Sequence, residues 1–322
     1  MTDEAYREAL DTRAGAVTVV PFLADGRVAV GGTGSLPEAA VPAGEHWALA
    51  AGRAVRSTGA SMRSLHPFLV RGDRVVAWAD AVREGPGPAM AVVDAGPLAA
   101  LAAAARAALT DEAWFRDVRI LLEPHYLAAD DPYAQSGKSG GAASWELARA
   151  FVVDALHRDG TFLDLGCANG MLMESVVVWA RERRGLAIEP YGLDISPGLA
   201  DLARRRLPRW ADRVWVGNAW EWEPPRRFDF AHAMTDLVPD HLRARWVDRL
   251  LRRFLTPGGR LILRWGDPYP ADPDRRTLPD LLAEAGVTPD GELVQERPGR
   301  PAVRAAWLKA RPSLLAGEEA GD

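Results

Sequence analysis

An apolar run beginning at Phe162 ends in Asp164-Leu-Gly-Cys-Ala-Asn-Gly and leads directly into a helical pattern. Nucleotide-binding turns need this setting, a strand before the glycines and a helix after them. Gly166 and Gly170 let the main chain bend tightly and let a ligand approach it. Asp164, at the strand end, sets a carboxylate where it can meet an ammonium group. A plain strand-to-helix turn would use the same glycines, so this segment alone does not decide. The next strand, Tyr191-Gly-Leu-Asp-Ile-Ser-Pro, puts Asp194 28 residues after Gly166. A carboxylate in that place can accept two hydrogen bonds from a ribose. Its alternative role is a helix N-cap before Pro197, but Ser196 suits that cap better. A dinucleotide would use the same turn and acid but also a Gly-x-Gly-x-x-Gly phosphate cradle, and Asn169-Gly-Met lacks that spacing.

The elements that must position these residues alternate between helix and strand. Helix is expected over Trp145–His157, strand over Thr161–Leu165, and helix over Met171–Arg183. Strand Tyr191–Ile195 leads to helix Leu199–Leu207, followed by strands Arg213–Val216 and Phe228–Ala233. Over 240–255, Leu242, Trp246, Leu250 and Phe254 recur every fourth residue and make one apolar helix face. Thr256-Pro-Gly-Gly turns into strand Arg260–Trp265. A helix at 278–285 and a hairpin around Pro298-Gly-Arg-Pro follow. Such alternation predicts a parallel sheet covered by helices on both faces.

Residues 145–310 resemble the class I S-adenosylmethionine (SAM)-dependent methyltransferases. Asp164-Leu-Gly-Cys-Ala-Asn-Gly resembles that family's first motif, with Ala168 in place of a frequent glycine. Asp194 matches the acid that holds the SAM ribose. Val216-Gly-Asn-Ala-Trp resembles the third-strand motif, with Asn218 in place of a common aspartate. Phe228-Asp-Phe-Ala-His-Ala-Met-Thr-Asp resembles the fourth strand, and Thr256-Pro-Gly-Gly-Arg-Leu-Ile-Leu the turn into the fifth. The resemblance implies a Rossmann-like α/β fold, a mostly parallel seven-stranded sheet whose last strand is antiparallel. It implies SAM as cofactor, held by Asp164, Gly166, Cys167, Gly170, Asp194, Ile195, Asn218, Ala219 and Thr235. Trp220 and Trp222 are candidates to stack near adenine, one of them more simply a core residue.

Methyl transfer from a sulfonium expels a neutral thioether, so no acid is required and orientation can carry much of the rate. A base helps where the acceptor must lose a proton. Asp236 and His241 follow the fourth strand, where ligands of such sheets sit, and with Tyr133 are the candidate catalytic residues. Tyr126, Gln135 and Trp265 are candidates for the acceptor pocket. His232, inside the strand, is expected to pack in the core. The turn-rich stretch 124–143, holding His125, Tyr126, Tyr133, Gln135 and Ser136, reads as a linker or a lid.

Upstream, Val17–Leu23 and Arg27–Val30 flank Ala24-Asp-Gly as a hairpin. A helix is expected over Glu45–Ser57, strands near 67–70 and 75–82, an Ala-rich helix over Leu98–Leu109, and a helix from Thr110 through Leu122. Residues 15–110 resemble a Nudix domain with a damaged motif. Leu36-Pro-Glu and Ala50-Ala-Gly-Arg-Ala-Val-Arg-Ser-Thr-Gly echo it, but Ala54 and Ser57 stand near the positions of the metal-binding glutamates. Glu38 and Glu45 do not rebuild that site, so the resemblance implies a hydrolase-inactive binding or dimerisation module; an unrelated small α+β domain is the other reading. The expected organisation is 1–112 Nudix-like α+β, 113–144 connecting helix and lid, and 145–322 methyltransferase.

The composition is ordinary for a globular protein, 48% hydrophobic and 26% charged. A net charge of −5 argues against general nucleic-acid binding, and one cysteine excludes an intrachain disulfide and a cysteine-based zinc site. Residues 1–6 lack signal-peptide character, and the Leu98–Leu109 tract is too short to span a bilayer. A cytoplasmic protein acting on a small-molecule acceptor is expected, with a homodimer as an open option and no metal. Two other readings stay open, a macromolecular methyltransferase and a non-catalytic SAM-binding scaffold.

Overall fold

The computed structural model describes residues 14–310 except 24–26, 32–33, 63, 84–90, 95, 98–99, 101–102, 105–106, 139, 267–276 and 298–299. The chain divides into two compact units, 1–125 and 126–322.

In the first unit, β1 (Ala16–Phe22) pairs antiparallel with β2 (Val28–Ala29) as the hairpin pattern predicts. Its Ala24-Asp-Gly turn lies outside the described residues. With β3 (Glu38–Ala40), β4 (Ala60–Met62), β5 (His66–Arg71), β6 (Arg74–Arg83) and β7 (Val92–Val93) these strands make a mixed sheet, in which β1 and β6 run parallel. Helix α1 (Trp47–Arg56) buries Trp47, Ala51 and Val55 in a core shared with Val17, Val19 and Val75. Its N-cap is His46, whose Nδ1 accepts from Ala48 N–H at 3.2 Å. Glu38 pairs with Arg74 and Glu45 with Arg53. Ala54 is buried, and Ser57 donates to the Ala54 carbonyl at 2.7 Å.

Helix α2 (Asp111–Leu127) starts where Thr110 Oγ1 accepts from Ala113 N–H at 3.2 Å. It does not end at Pro124, as a turn-rich stretch from 124 had implied; it continues one turn further. Proline offers no N–H, but in the next position His125 Nδ1 bonds to the Leu121 carbonyl at 2.7 Å and adds a contact to the last turn. Half of the Ala-rich helix expected over Leu98–Leu109 lies outside the described residues. No described helix is long and apolar enough to cross a membrane.

The second unit opens with α3 (Gly141–Arg149), which begins earlier than the predicted Trp145 and passes at Ala150 into the 3-10 turn Ala150–Ala155. The sequence pattern predicts one uninterrupted helix to His157, and the structure breaks it at Ala150. There follow β8 (Gly160–Leu165), α4 (Met171–Arg184), β9 (Ile188–Asp194), α5 (Pro197–Arg206), β10 (Val214–Val216) and β11 (Phe228–Met234). Then come α6 (Arg243–Arg249) with a π turn Leu250–Phe254, β12 (Leu255–Gly266), α7 (Leu278–Glu284), β13 (Gly291–Arg297) and β14 (Arg300–Lys309). The predicted apolar face is buried at Leu242, Trp246, Leu250 and Phe254. Thr256-Pro-Gly-Gly is not a separate turn but lies inside β12, with a register shift opposite Phe228/Phe230. The tip of the final hairpin, 298–299, lies outside the described residues.

The sheet order is β10-β9-β8-β11-β12-β14-β13. Neighbours from β10 to β12 are parallel, and β14 is antiparallel to both β12 and β13. The inner strands are apolar on both faces, as parallel strands under helices must be: Phe162, Leu163 and Leu165 on β8 and Phe228, Phe230 and Ala231 on β11 are all buried. Strand order reverses between β8 and β11. Beyond the carboxyl ends of these two strands lies the crevice in which open α/β sheets bind ligands.

Candidate functional site

The strand ends supply the acidic residues and glycines that edge this crevice. β8 ends in the glycine turn, with Gly166 and Gly170 both at φ +76° and Ala168 at +46°. Only the glycines adopt such angles without steric cost. The space left by their missing side chains is filled by protein. A Cβ on Gly166 would lie 2.8 Å from Leu237 Cδ2, and one on Gly170 2.6 Å from Leu207 Cδ1. Their positive φ and this close packing each require glycine at both positions. Asp194, at the end of β9, is 7% exposed and ties the turn down. Its Oδ2 accepts from Ala168 N–H at 2.7 Å and its Oδ1 from Ser196 N–H at 2.9 Å. Ser196 takes the N-cap of α5, accepting from Leu199 N–H at 3.0 Å.

Asp164 is 3% exposed and pairs with His232 on β11, Oδ1 to Nδ1 2.8 Å. The sequence placed His232 in the core, and it is buried there, but as the partner of Asp164. Arg149, at the last position of α3, is the residue that sequence reasoning missed. It is buried, its guanidinium 5.0 Å from the Trp145 ring centroid, and among the described residues its one hydrogen bond is a long 3.4 Å contact to the Ala148 carbonyl. Burial lowers its pKa, opposed by the nearby charges of Asp164, Tyr126 and Asp236. Tyr126 stands in the same group: burial first, then the charges of Asp236 and Asp194, push its phenol up to about 12. It is therefore a hydrogen-bond donor at neutral pH. Tyr126, Arg149, Asp164, Asp194 and Asp236 thus share one electrostatic neighbourhood at the reversal point. Asp236 itself is exposed, in the turn Thr235–Leu237.

The stretch 131–137 folds onto the glycine turn through Asn169, which is fully buried. Asn169 Nδ2 donates to the Pro132 carbonyl at 2.8 Å and to Gln135 Oε1 at 3.3 Å, and Oδ1 accepts from Ser136 Oγ and from Met171 N–H. The segment is thereby strapped onto the glycine turn. Several candidates change role accordingly. Gln135 spends its amide on Asn169 and on the Ala129 carbonyl, 2.9 Å away, as a clasp rather than an acceptor contact. Tyr133 packs its ring against Trp145, 6.2 Å between centroids, in the core rather than in the charged group. His241 is exposed in the turn Asp240–Leu242. Cys167 is buried, and desolvation holds its thiol well above the usual range, so it contributes packing and main chain.

The remaining candidates line the strand ends. Asn218 Oδ1 accepts from Trp220 N–H at 2.9 Å, and the Ala219 carbonyl accepts from Trp246 Nε1 at 3.0 Å. Thr235 is buried and Ile195 half-buried beside Asp194. The main chain of Trp265 pairs with Arg304 at the end of β12, and its side chain lies outside the described residues. Trp222 belongs to an aromatic cluster with Trp215 and Phe254, at 5.3 and 5.8 Å, whereas Trp220 meets Arg245 on a surface groove.

No family model matches the chain. Over 123 residues it is 36% identical to a trans-aconitate 2-methyltransferase of Methylobacterium radiotolerans, covering 38% of this chain and 43% of the relative. Over 122 residues it is 38% identical to the enzyme of the same name from Methylobacterium nodulans, covering 38% and 44%. The match thus spans less than half the length of these curated relatives. Among solved structures, a protein of Pyrococcus horikoshii OT3 covers 58% of this chain and 98% of its own, with 17% identity and a TM-score of 0.44. A SAM-dependent methyltransferase of Geobacter sulfurreducens, solved with S-adenosylhomocysteine, covers 52% and 90%, with 18% identity and a TM-score of 0.38. The second unit thus has an α/β methyltransferase fold, a mixed sheet of seven strands parallel except for β14, and part of the chain is similar in sequence to trans-aconitate 2-methyltransferases.

Proposed function

We propose that the chain is a SAM-dependent methyltransferase that moves a methyl group to an oxygen or nitrogen of a small acceptor by in-line displacement. The observation that carries this reading is the set of charges converging on the strand reversal: Asp164, Asp194 and the buried Arg149. Two buried carboxylates and one buried guanidinium fit a zwitterionic amino acid joined to a ribose. Asp164 would take the ammonium, Arg149 the carboxylate and Asp194 the ribose hydroxyls, with Asn218 and Ala219 toward the base. SAM, when bound, supplies a methyl group activated by the sulfonium.

The chain's own residues would then orient the acceptor. Tyr126, protonated at neutral pH, donates a hydrogen bond to it. Asp236, at the open side, orients an acceptor amine or takes the proton of a hydroxyl. The strap 131–137 shields the turn from water. Because the similar proteins are named for trans-aconitate, small carboxylic acids are the first acceptors to try; a carboxylate oxygen needs no base. For residues 1–112 we propose a Nudix-like binding or dimerisation module, supported by Ala54 and Ser57 near the expected metal-ligand positions. Manganese-dependent hydrolysis of a nucleoside diphosphate derivative would overturn that part.

The central test is calorimetric titration of S-adenosylhomocysteine into the full chain and into Asp194→Ala. Saturable binding weakened at least about tenfold by the substitution, about 1.4 kcal/mol, is the expected result. A folded wild-type protein that binds nothing overturns the reading. Turnover is then assayed with tritiated SAM over a panel of di- and tricarboxylic acids, amines and phenols.

A further inference from the structure

We propose, resting on the cofactor site assigned above, that His232 is a positioning residue which fixes the Asp164 carboxylate in the orientation that receives the cofactor's α-ammonium. β8 and β11 are parallel neighbours, and their register sets His232 beside Asp164. Nδ1 and Oδ1 are 2.8 Å apart, and each residue is 3% exposed. The carboxylate can only accept, so the imidazole proton sits on Nδ1. The far nitrogen, Nε2, is buried and has no hydrogen-bond partner among the described residues. The ring lies nearly parallel to Phe162, at 16° with 6.4 Å between centroids.

As core filling this arrangement is poor. A buried polar atom without a partner is unfavourable, and an apolar side chain of similar size would avoid it. What the imidazole adds is one N–H aimed at Asp164. No other hydrogen bond from a described residue reaches that carboxylate, and the Arg149 charge faces it without contact. Anchored through one oxygen, the carboxylate presents the other in a fixed direction. A docking ammonium then meets a partner already oriented by the surrounding protein, as supporting hydrogen bonds do for other binding groups.

The test compares two ligands on the full chain by calorimetry. S-Adenosylhomocysteine carries the amino-acid tail; 5′-methylthioadenosine keeps the nucleoside and thioether but lacks it. His232→Asn retains an N–H near the Nδ1 position, whereas His232→Gln moves it toward Nε2, and His232→Phe removes it. The expected result is S-adenosylhomocysteine affinity within about threefold of wild type for His232→Asn and a loss of about tenfold or more for His232→Gln and His232→Phe. Affinity for 5′-methylthioadenosine stays within about twofold in all three. If His232→Phe does not fold, the Asn and Gln variants decide alone. Equal losses for both ligands, or wild-type affinity in His232→Gln, overturn the proposal. Wild-type protein that binds neither ligand overturns the cofactor site and this role with it.

Discussion

At the scale of single residues, the crevice is defined by groups held in states they would not choose in water. Ala168 has a left-handed main chain at φ +46°, where an L side chain costs about 1–2 kcal/mol. Ala168→Gly is therefore expected to stabilise residues 126–322 by about 1 kcal/mol in urea unfolding, the gain being reduced by the greater freedom of glycine in the unfolded chain. Tyr126 gives a pH signature. Its folded pKa, raised to about 12, lies above the ordinary tyrosine value of 10.0. Below pH 10 the phenol is protonated in both states and its contribution is intact. Between pH 10 and 12 the unfolded chain ionises first, so stability falls as pH rises. Tyr126→Phe should flatten that loss, read as the slope of the urea midpoint against pH. A slope unchanged by the substitution would show that the phenol is not the group responsible.

At the scale of elements, the strap and the glycine turn behave as one piece because Asn169 serves both. Asn169→Ala removes four hydrogen bonds at once and leaves the Pro132 carbonyl and Met171 N–H without their partner. Each bond so lost is worth about 0.5–1.5 kcal/mol net. Amide exchange over 131–137 should accelerate in this variant, while α7, which takes no part in the clasp, keeps its wild-type rates. The strands and one helix cap of this half were readable from sequence: apolar runs gave β8 to β11 within a few residues, and Ser196 is the cap its position before Pro197 predicts. The partners were not. His232 and Asp164 are 68 residues apart and meet only through strand register. Arg149 lay inside a helix expected to continue to His157, so the break at Ala150 that makes it the last residue of α3 was invisible. Pro124 read as a stop, yet the helix passes it.

At the scale of the whole molecule, each unit has its own apolar core, one around Trp47 and Val17 and another around Phe162 and Val176. Two unfolding transitions are expected in calorimetry. A saturating ligand stabilises only the unit that binds it, by about 2.7 kcal/mol at a hundred times Kd. S-Adenosylhomocysteine should therefore shift one transition and leave the other in place; a shift of both by the same amount would mean that the units unfold together.

The Asp194 clasp bears on kinetics. Its carboxylate already holds the amides of Ala168 and Ser196, which secures the wall of the crevice before any ligand arrives. A diffusing ligand meets a finished surface, so its capture needs no slow rearrangement of the turn. Stopped-flow mixing should show one phase whose rate rises linearly with ligand concentration, about 10⁵–10⁷ M⁻¹s⁻¹. In Asp194→Ala a concentration-independent step should appear, as the loop searches for the shape that the aspartate had kept ready.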